Sequence, residues 1–361
     1  MIKIGVIGYG YWGPNLVRNF SELPESKVTM VSDINEERLR LVKTRYPAIE
    51  VTPDHHVLLS NPEIDVVAIA TPVATHYELA LKALKAGKHV FLEKPMTETV
   101  QQAERLVAEA EQRNLVLHVD HTFIYTSAVR KIRELVESGE LGELYYYDSV
   151  RVNLGLFQPD IDVIWDLAVH DLSILNYIYP FTPVAVSATG MNHVTDRPIN
   201  IAFLTLFFES DMIAHFHVNW LAPVKLRRTL IGGSRKMIVY DDVEPSEKIK
   251  VYDKGITLNN SKENIYKSLV GYRTGDMWAP KLETTEALRV EGQHFIDCIT
   301  NGSQSITDGH AGLMVVRILE AATESMSKLG QPVELSESHP ITHRLLSWRD
   351  PVFRSSANSY Q

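Results

Sequence analysis

The sequence predicts an α/β fold in two domains, an N-terminal domain with a parallel sheet and a C-terminal α+β domain with a large, mostly antiparallel sheet. The 361 residues exceed the usual size of a single hydrophobic core, which favours two domains. Strand patterns alternate with helical patterns over the first third of the chain, as in consecutive βαβ units. From Leu144 onward the strands follow one another with few helices between them, which is typical of an antiparallel sheet.

The N-terminal elements alternate from the first residues. Short apolar runs predict strands, and apolar residues repeated at three- and four-residue spacing predict helices. Residues 65–70 are apolar at nearly every position, as expected of a strand that is covered by helices on both faces. The predicted strands are residues 2–7, 28–32, 66–70, 90–92 and 115–119, and the predicted helices are residues 16–20, 36–46, 77–86 and 100–112.

The C-terminal part begins with one further predicted helix, residues 127–138. The polar, weakly patterned residues 245–280 predict an irregular excursion, and the periodicity then predicts two amphipathic helices. The predicted strands are residues 145–153, 184–190, 201–208, 212–220, 227–232 and 236–240, and the two late helices are residues 285–299 and 312–327. We therefore divide the chain into an N-terminal domain (1–122), a C-terminal domain (123–345) and a loose tail (346–361).

Composition and charge argue against several classes of protein. The net charge is −9, and no basic cluster suggests binding to nucleic acid. No stretch approaches the roughly 18 apolar residues of a membrane span, and the N-terminus enters a strand without an export leader. Cys298 is the only cysteine, and its apolar helical context indicates a small buried side chain rather than a nucleophile. We expect a cytoplasmic protein that binds neither nucleic acid nor membrane.

Three glycines carry the first functional signal. Gly8, Gly10 and Gly13 have the spacing G-x-G-x-x-G directly after an apolar strand and before a helical pattern. The motif needs a tight turn at the first glycine, a bare backbone facing a pyrophosphate at the second, and close helix–strand packing at the third. The alternative is a purely structural turn. The pattern favours a Rossmann dinucleotide-binding domain, with Tyr11 and Trp12 also among the cofactor-binding residues.

The end of the second strand indicates which dinucleotide is bound. Asp33 stands twenty residues after Gly13, about the spacing of the acid that accepts hydrogen bonds from the adenosine ribose. A ribose 2′-phosphate would be repelled by this carboxylate, so NAD is the expected cofactor. Arg38, at the start of the next helix, leaves NADP as the less favoured alternative.

A lysine stands at the carboxyl end of another predicted strand. Lys94 lies in the triplet Glu93-Lys94-Pro95, at the edge where ligands of open α/β sheets bind. A lysine beside a nicotinamide and a hydroxyl or carbonyl can donate a hydrogen bond and stabilise developing oxyanion charge. The alternative is a solvated lysine at a strand end, and position alone does not decide between the two.

A carboxylate and an imidazole stand four residues apart in a helical pattern. Asp166 and His170 would therefore project from one face of the helix. Histidine exchanges a proton near neutral pH, and a carboxylate one turn away can orient it. The alternatives are a capped helix start and a structural histidine.

The glycine motif, Glu93-Lys94-Pro95 and the Asp166–His170 pair occur together in this order. In that combination the chain resembles the Gfo/Idh/MocA family of NAD(P)-dependent oxidoreductases over nearly its whole length. The resemblance implies that Lys94, Asp166 and His170 form the catalytic group. It also implies cofactor contacts at Glu93 and along one loop, where Thr71, Pro72 and His76 match the family segment. The alternative for His76 is a polar residue at the N-terminus of a helix.

Three other histidines are interpreted without a catalytic role. His121 occupies a place where relatives often have a glycine before the histidine, but Asp120 stands there, and we interpret His121 as structural. His215 and His217 lie two apart on one strand face, a spacing that polar lining of a sheet explains better than a metal. We expect no metal.

The predicted substrate-binding residues are basic and polar residues of the C-terminal sheet. Arg151 and Asn153 share a strand face, and the segment from Asn219 to Pro223 leads into Lys225 and Arg227. This segment looks like that of members acting on nucleotide-linked sugars, whose diphosphate suits basic groups. Solvated strand polarity is the alternative for each residue.

We therefore expect an NAD-dependent enzyme that transfers a hydride between nicotinamide and a ring hydroxyl or ketone of a sugar, nucleotide sugar or cyclic polyol. The alternatives are a glycosidase that uses transient oxidation and a regulator that binds the nucleotide without turnover. Residues 201–208 are apolar on both strand faces, and a second subunit is the simplest cover for one of them, the alternative being a strand that is buried wholly within one chain. We expect a homodimer or homotetramer formed through the C-terminal sheet.

Overall fold

The structure is a computed structural model that describes residues 1–155, 161–179, 182–195, 197–258 and 270–335. Its N-terminal part alternates strands and helices, with two 3₁₀ turns at Val73–Thr75 and Thr122–Tyr125. The elements are β1 (Ile2–Ile7), α1 (Gly13–Glu22), β2 (Ser26–Ser32), α2 (Glu36–Arg45), β3 (Glu50–Thr52), α3 (His55–Ser60), β4 (Val66–Ile69), α4 (His76–Lys85), β5 (His89–Glu93), α5 (Val100–Arg113) and β6 (Leu117–Asp120).

The N-terminal strands form one parallel sheet in the order β3-β2-β1-β4-β5-β6. The order reverses between β1 and β4, which is the switch point where doubly wound sheets bind ligands. The predicted α/β domain is confirmed. The periodicity missed β3 and α3 because three and six residues are too few to show a repeat.

The C-terminal part contains two sheets and four helices in the described residues, and a π-helical turn, Ile164–Ala168, leads into α7. The elements are α6 (Ser127–Glu137), β7 (Leu144–Leu154), α7 (Val169–Ile178), β8 (Ala185–Met191), β9 (Ile201–Phe207), β10 (Ile213–Asn219), β11 (Leu221–Gly233), β12 (Met237–Asp241), β13 (Ile249–Tyr252), β14 (Gly255–Leu258), β15 (Val270–Arg273), β16 (Met277–Trp278), α8 (Ala287–Asn301), α9 (Gly309–Ser327) and β17 (Val333–Glu334).

The large C-terminal sheet has nine described strands in the order β16-β13-β12-β11-β7-β10-β9-β8-β17. Among these, β10 and β7 pair in parallel and the other neighbours pair antiparallel, which confirms the predicted mostly antiparallel sheet. The predicted irregular excursion is wrong in part, because β13, β14, β15 and β16 lie within it. These strands are two to four residues long, too short for an alternating pattern. The predicted tail lies outside the described residues.

The last two helices return to the N-terminal domain. Phe295 of α8 packs edge-on against Phe20 and Phe91, with ring centroids 6.3 and 5.4 Å apart. Leu313 and Val316 of α9 join the core that lies beneath β4, β5 and α5. Residues assigned by sequence to the C-terminal domain therefore complete the core of the N-terminal one.

One face of the large sheet is left uncovered by the described residues of this chain. On β9, Ala202, Leu204 and Leu206 are buried on one face, whereas Phe203 on the other face is 42% exposed and stacks on His217 at 4.5 Å. Apolar surface of this kind is a feature of interfaces. In the described part of the chain, no helix combines the length and apolar character needed to cross a membrane.

Candidate active site

A cleft of about 940 Å³ runs along the carboxyl ends of the N-terminal strands. All of the residues predicted to bind cofactor line it, except Gly13 and His76, and Asp166 of the C-terminal domain joins them. Both its size and its position at the switch point are those of a dinucleotide site. The lining residues that were predicted are Gly8, Gly10, Tyr11, Trp12, Asp33, Thr71, Pro72, Glu93 and Lys94.

The glycine loop has the geometry that its spacing predicts. Gly8 has a φ of 95°, and a Cβ on it would lie 2.5 Å from the carbonyl oxygen of Ala70. A Cβ on Gly13 would lie 2.2 Å from the carbonyl oxygen of Gly8, so α1 can start there only with glycine. A Cβ on Gly10 would meet nothing closer than Arg38 Nη1 at 3.6 Å. The bare backbone of Gly10 therefore faces the cleft, where a pyrophosphate could approach it.

Asp33 is fixed at the end of β2 with its side chain 3% exposed. Its oxygens accept hydrogen bonds from the backbone N–H groups of Tyr9 (2.7 Å) and Asn35 (2.8 Å), and Arg38 Nη1 lies 3.4 Å away. A carboxylate has about four acceptor positions, so part of its capacity remains for ribose hydroxyls. These residues fit an adenine dinucleotide.

The rest of the glycine loop connects the cleft to the sheet. Tyr11 is 89% exposed at the rim. Trp12 points inward, and its indole N–H donates to Asp120 Oδ2 at the end of β6 (2.7 Å).

His76 contributes to the cleft indirectly. It is 1% exposed, and its two ring nitrogens lie 2.8 Å from the carbonyl oxygens of Pro95 and Thr71. Burial lowers its pKa, although both carbonyls act in the opposite direction. His76 therefore links the loop after β4 to the loop after β5 through its two ring nitrogens, without lining the cleft itself.

Lys94 begins the loop after β5, at a cis peptide bond to Pro95. Its backbone N–H donates to Glu93 Oε2 at 3.0 Å. Its ammonium Nζ donates to the backbone oxygen of Asp166 at 3.0 Å and lies 3.3 Å from Asp166 Oδ1. This ion pair joins the two domains at the floor of the cleft.

Asp166 does not interact with His170 as the sequence predicts. Asp166 lies in the π-helical turn, where hydrogen bonds close five residues apart, so residues four apart no longer stack as in an α-helix. Its carboxylate instead binds Lys94 through Oδ1 and accepts the indole N–H of Trp220 on Oδ2 at 3.1 Å. Nδ1 of His170 has no hydrogen-bond partner in the described part of the chain. The predicted orienting contact between Asp166 and His170 is therefore replaced by one between Asp166 and Lys94.

His170 lies at the start of α7 among positive charges. The ring of Phe123 packs against its imidazole at 4.9 Å. Burial lowers the pKa of His170 well below its ordinary value, and the charges of Lys94, Arg151 and Arg227 lower it further. The imidazole is therefore neutral near pH 7 and can accept a proton.

Two of the predicted substrate residues lie beside His170. Arg151 and Arg227 stand opposite each other on β7 and β11, with their guanidinium carbons 4.5 and 5.5 Å from the centre of the Phe123 ring. Arg151 forms a buried two-point pair with Asp171 at 2.7 and 3.0 Å, and Arg227 Nη1 lies 3.1 Å from Asp242 Oδ2. Buried nitrogens of both arginines, Nη1 of Arg151 and Nε of Arg227, lack partners among the described residues.

The other predicted polar residues lie elsewhere. Asn153 is partly buried and Lys225 is exposed, and neither lines the cleft. His215 Nδ1 lies 3.3 Å from Asp148 Oδ1 on the open face of the sheet.

Three acids lie close together beside Lys94, and their clustering is not visible in the sequence, which singled out Glu93 only as a cofactor contact. Glu93 and Asp120 are paired on β5 and β6, and Glu291 reaches them from α8. Burial, and next the charge of Asp120, raise the pKa of both Glu93 and Glu291 well above the ordinary value. His118 Nε2 lies 3.2 Å from Glu291 Oε1. The raised pKa values favour the protonated, uncharged form of Glu93 and Glu291, so these two acids add little negative charge beside Lys94.

Trp220 is the other contributor that sequence reasoning missed. It is fully buried at the corner between β10 and β11, and its indole holds Asp166, 54 residues away in sequence. A single tryptophan in a strand pattern is more often a core residue than a functional one. The sequence pointed to Trp220 only because it lies in the segment between Asn219 and Pro223.

Comparison with known proteins extends over both domains. Residues 2–121 match a family model described as an oxidoreductase family with an NAD-binding Rossmann fold, and residues 129–239 match the GFO/IDH/MocA C-terminal domain. The chain is 29% identical over 327 residues to a UDP-N-acetylglucosamine 3-dehydrogenase of Acidithiobacillus ferrooxidans, with 90% of this chain and 96% of that enzyme covered. A solved structure with that description superposes with a TM-score of 0.76 at 26% identity, covering 91% of this chain and 99% of the other. A myo-inositol 2-dehydrogenase of Thermotoga maritima is 25% identical over 345 residues, covering 91% and 97%.

Proposed function

We propose that this chain, which belongs to the GFO/IDH/MocA oxidoreductase family, transfers a hydride between NAD and a ring carbon of a nucleotide sugar. It is an oxidoreductase that acts on CH–OH groups. The observation that carries the proposal is the ion pair of Lys94 with Asp166 at the inner end of the dinucleotide cleft, close enough to His170 for the charge of Lys94 to lower the pKa of that imidazole.

The cofactor side rests on the glycine loop and Asp33. Gly8 and Gly10 would face the pyrophosphate, and Asp33 would accept hydrogen bonds from the adenosine ribose. When bound, NAD supplies the acceptor for the hydride. Asp33 favours NAD over NADP because its carboxylate would repel a 2′-phosphate, whereas Arg38 beside it would attract one.

The chain's own residues supply binding and proton transfer. Lys94 Nζ holds the reacting oxygen and stabilises negative charge on it, and Asp166 fixes the position of the ammonium group. Trp220 in turn fixes the second carboxylate oxygen of Asp166. His170, neutral and unpartnered at Nδ1, takes the proton from the substrate hydroxyl during oxidation and returns it during reduction.

The choice of a nucleotide sugar over a free polyol rests on charge. Arg151 and Arg227 place two cations next to His170, each with a buried nitrogen that lacks a partner in the described part. Phosphate oxygens are good acceptors for guanidinium groups. The similarity to the UDP-N-acetylglucosamine 3-dehydrogenase, 29% identical over most of the chain, points to the same substrate class.

We also propose that the open face of the large sheet, which carries Phe203 and Ile213, pairs with a second copy of the chain. These side chains are 42% and 44% exposed, and they lie on neighbouring strands. A homodimer or homotetramer formed through this face would bury them.

The experiment is an absorbance assay for reduced nicotinamide with a panel of UDP-sugars, dTDP-sugars, free sugars and inositols, with NAD and NADP in parallel. We expect NADH formation confined to nucleotide sugars, with NAD preferred. A signal confined to inositols or free sugars would overturn the substrate class. Release of free sugar without net NADH would favour the glycosidase alternative, and NAD binding without any turnover in either direction would favour the regulator.

A further inference from the structure

Two residues of the cleft wall meet at one buried carboxylate, that of Asp120. Asp120 is the last residue of β6 and is 2% exposed. Its Oδ2 accepts the indole N–H of Trp12 at 2.7 Å, and its register partner on β5 is Glu93. Trp12 and Glu93 both line the dinucleotide cleft, whereas Asp120 does not. Asp120 therefore contacts the walls of the cleft from behind.

The surroundings of Asp120 can fill its whole hydrogen-bonding capacity. Oδ1 accepts the hydroxyl of Thr122, in addition to the Trp12 indole on Oδ2. The carboxyl groups of Glu93 and Glu291 also lie within hydrogen-bonding reach, and an ionised carboxylate has about four acceptor positions. An acid donates only when protonated, and the raised pKa values of Glu93 and Glu291 favour that form. Asp120 therefore holds the negative charge of this cluster.

This charge is held by neutral groups. The donors from Trp12 and Thr122 are uncharged, and the ammonium group of Lys94 pairs with Asp166 instead. Burial of an ionised group costs free energy unless fixed hydrogen bonds replace its water. In return, a hydrogen bond to a charged acceptor is roughly twice as strong as one between neutral groups. The charge of Asp120 therefore holds the Trp12 indole in place more firmly than a neutral side chain could.

The contact between Trp12 and Asp120 crosses part of the N-terminal sheet. Trp12 follows β1 and Asp120 ends β6, and in the sheet β4 and β5 lie between them. Neighbouring strands lie about 4.8 Å apart, so the axes of β1 and β6 are roughly 14 Å apart. The indole therefore bridges the carboxyl ends of β4 and β5, next to the place where Lys94 leaves the sheet.

On the proposed function, this inner end of the cleft receives the nicotinamide. Lys94 holds the oxygen of the reacting carbon, and that carbon exchanges a hydride with the nicotinamide ring. The adenosine half lies with Asp33, which is fixed by the backbone N–H groups of Tyr9 and Asn35 and not by the cluster around Asp120. The two halves of the cofactor therefore depend on separate sets of contacts.

We propose that Asp120 is a positioning residue for the nicotinamide half of the cofactor, which it supports by fixing Trp12 and Glu93 in the walls of the inner cleft. The inference rests on the proposed function, because that function places the nicotinamide beside Lys94. Asp120 does not line the cleft, so it acts through the two residues that it holds. An asparagine in its place has one acceptor oxygen and two N–H donors, and it carries no charge. It cannot hold both residues as the carboxylate does.

The direct test compares the binding of NAD with that of ADP-ribose, which lacks the nicotinamide ring. Titration calorimetry measures both dissociation constants for the wild type, Asp120→Asn and the control Asp65→Asn. Asp65 is an exposed aspartate at the opposite, amino-terminal edge of the same sheet, where it accepts the backbone N–H of Lys3 at 2.8 Å. We expect Asp120→Asn to weaken NAD binding by about tenfold and ADP-ribose binding by less than about twofold, with no change in Asp65→Asn. Equal weakening of both ligands in Asp120→Asn, as a disturbed fold would give, or unchanged NAD binding would overturn the proposal.

A second variant tests the route through Trp12. Trp12→Phe keeps an aromatic ring but removes the N–H donor, and Trp12 is partly exposed, so the substitution leaves the core intact. We expect Trp12→Phe to weaken the binding of NAD but not that of ADP-ribose. The double variant with Asp120→Asn should bind NAD no more weakly than Asp120→Asn alone, because both substitutions remove one contact. Normal NAD binding in Trp12→Phe, or additive losses in the double variant, would contradict the proposal.

Failure of the proposed function gives different results. A wild type that binds NAD but forms no NADH with any substrate would refute the assigned reaction, and the comparison of NAD with ADP-ribose would still decide the role of Asp120. A wild type that binds neither ligand would refute the dinucleotide site, and this inference with it.

Discussion

The dinucleotide cleft and the floor beneath the substrate are built in different ways. The cleft is made largely of backbone, with Gly8 and Gly13 allowing contacts that any Cβ would prevent. The floor is made of side chains that hold one another, such as Lys94 with Asp166 and Arg151 with Asp171. The shape of the cleft therefore depends on glycines that carry no side chain. The geometry of the floor depends on which side chains pair with each other.

Because of this difference, the residues that bind the cofactor and those that act on the substrate come from different parts of the chain. Apart from Asp166 and Ile161, every residue that lines the cleft lies before residue 96. The floor combines Lys94 with partners that lie 72 and more residues later. Substitutions in the cleft should thus change cofactor affinity, whereas substitutions in the floor should change the rate or its pH dependence.

Lys94→Ala breaks the floor and should give the largest effect. The variant loses the ammonium group that pairs with Asp166 at the inner end of the cleft, so kcat should fall by about 10³-fold. The dissociation constant of NAD, measured by fluorescence titration, should change little. Lys131→Ala, which removes a lysine on the outer side of α6, serves as the control. Unchanged kcat in Lys94→Ala would remove this lysine from the catalytic group.

Gly13→Ala breaks the cleft. Its Cβ would lie 2.2 Å from the carbonyl oxygen of Gly8, so the loop and the start of α1 must move apart. We expect NAD binding, measured by titration calorimetry, to weaken by at least about tenfold, which is ~1.4 kcal/mol. Gly255→Ala is the control, because that glycine has no left-handed φ and a Cβ on it would meet nothing closer than Arg273 Nη2, 3.6 Å away. Equal NAD affinity in both variants would contradict the role given to Gly13.

Arg227→Gln should shift the pH dependence of the reaction without removing a catalytic group. The charge of Arg227 lowers the pKa of His170, so its loss raises that pKa. Loss of Arg227 also frees the carboxylate of Asp242, which acts in the same direction.

Oxidation requires neutral His170, so activity falls as pH drops through its pKa. The acid limb of kcat/KM should therefore move to higher pH by up to about one unit in Arg227→Gln. Arg228→Gln is the control, because its side chain is exposed and pairs with Asp241. A shift to lower pH, or the same shift in both variants, would contradict this account of His170.

Much of the fold could be predicted from the sequence because its signals are local. In the six-stranded and nine-stranded sheets, apolar patterns are visible in strands longer than three residues. All such strands outside residues 245–280 were predicted. The glycine loop and Lys94 were identified for the same reason, because each motif lies within a few residues at a strand end.

The floor could not be predicted to the same extent because its contacts are distant. The π-helical turn changes which residues face one another, and nothing in the spacing of Asp166 and His170 reveals it. Trp220 reaches Asp166 across 54 residues and Glu291 reaches His118 across 173, distances at which a single sequence carries no pairing signal. The interpretation of His121 as structural rested on Asp120, which stands where relatives often have a glycine, and the missing hydrogen-bond partners of its ring nitrogens are visible only in three dimensions.

The return of α8 to the N-terminal sheet affects how the chain is synthesised and recombined. Phe295, Ile296 and Leu288 cover Phe20 and neighbouring apolar residues of the first sheet. While the protein emerges from a ribosome, that surface stays bare until nearly three hundred residues have been made, and it is exposed to chaperones throughout. A chimera that exchanges the dinucleotide domain between relatives must therefore exchange two separate gene segments, the first third and the stretch that encodes α8 and α9.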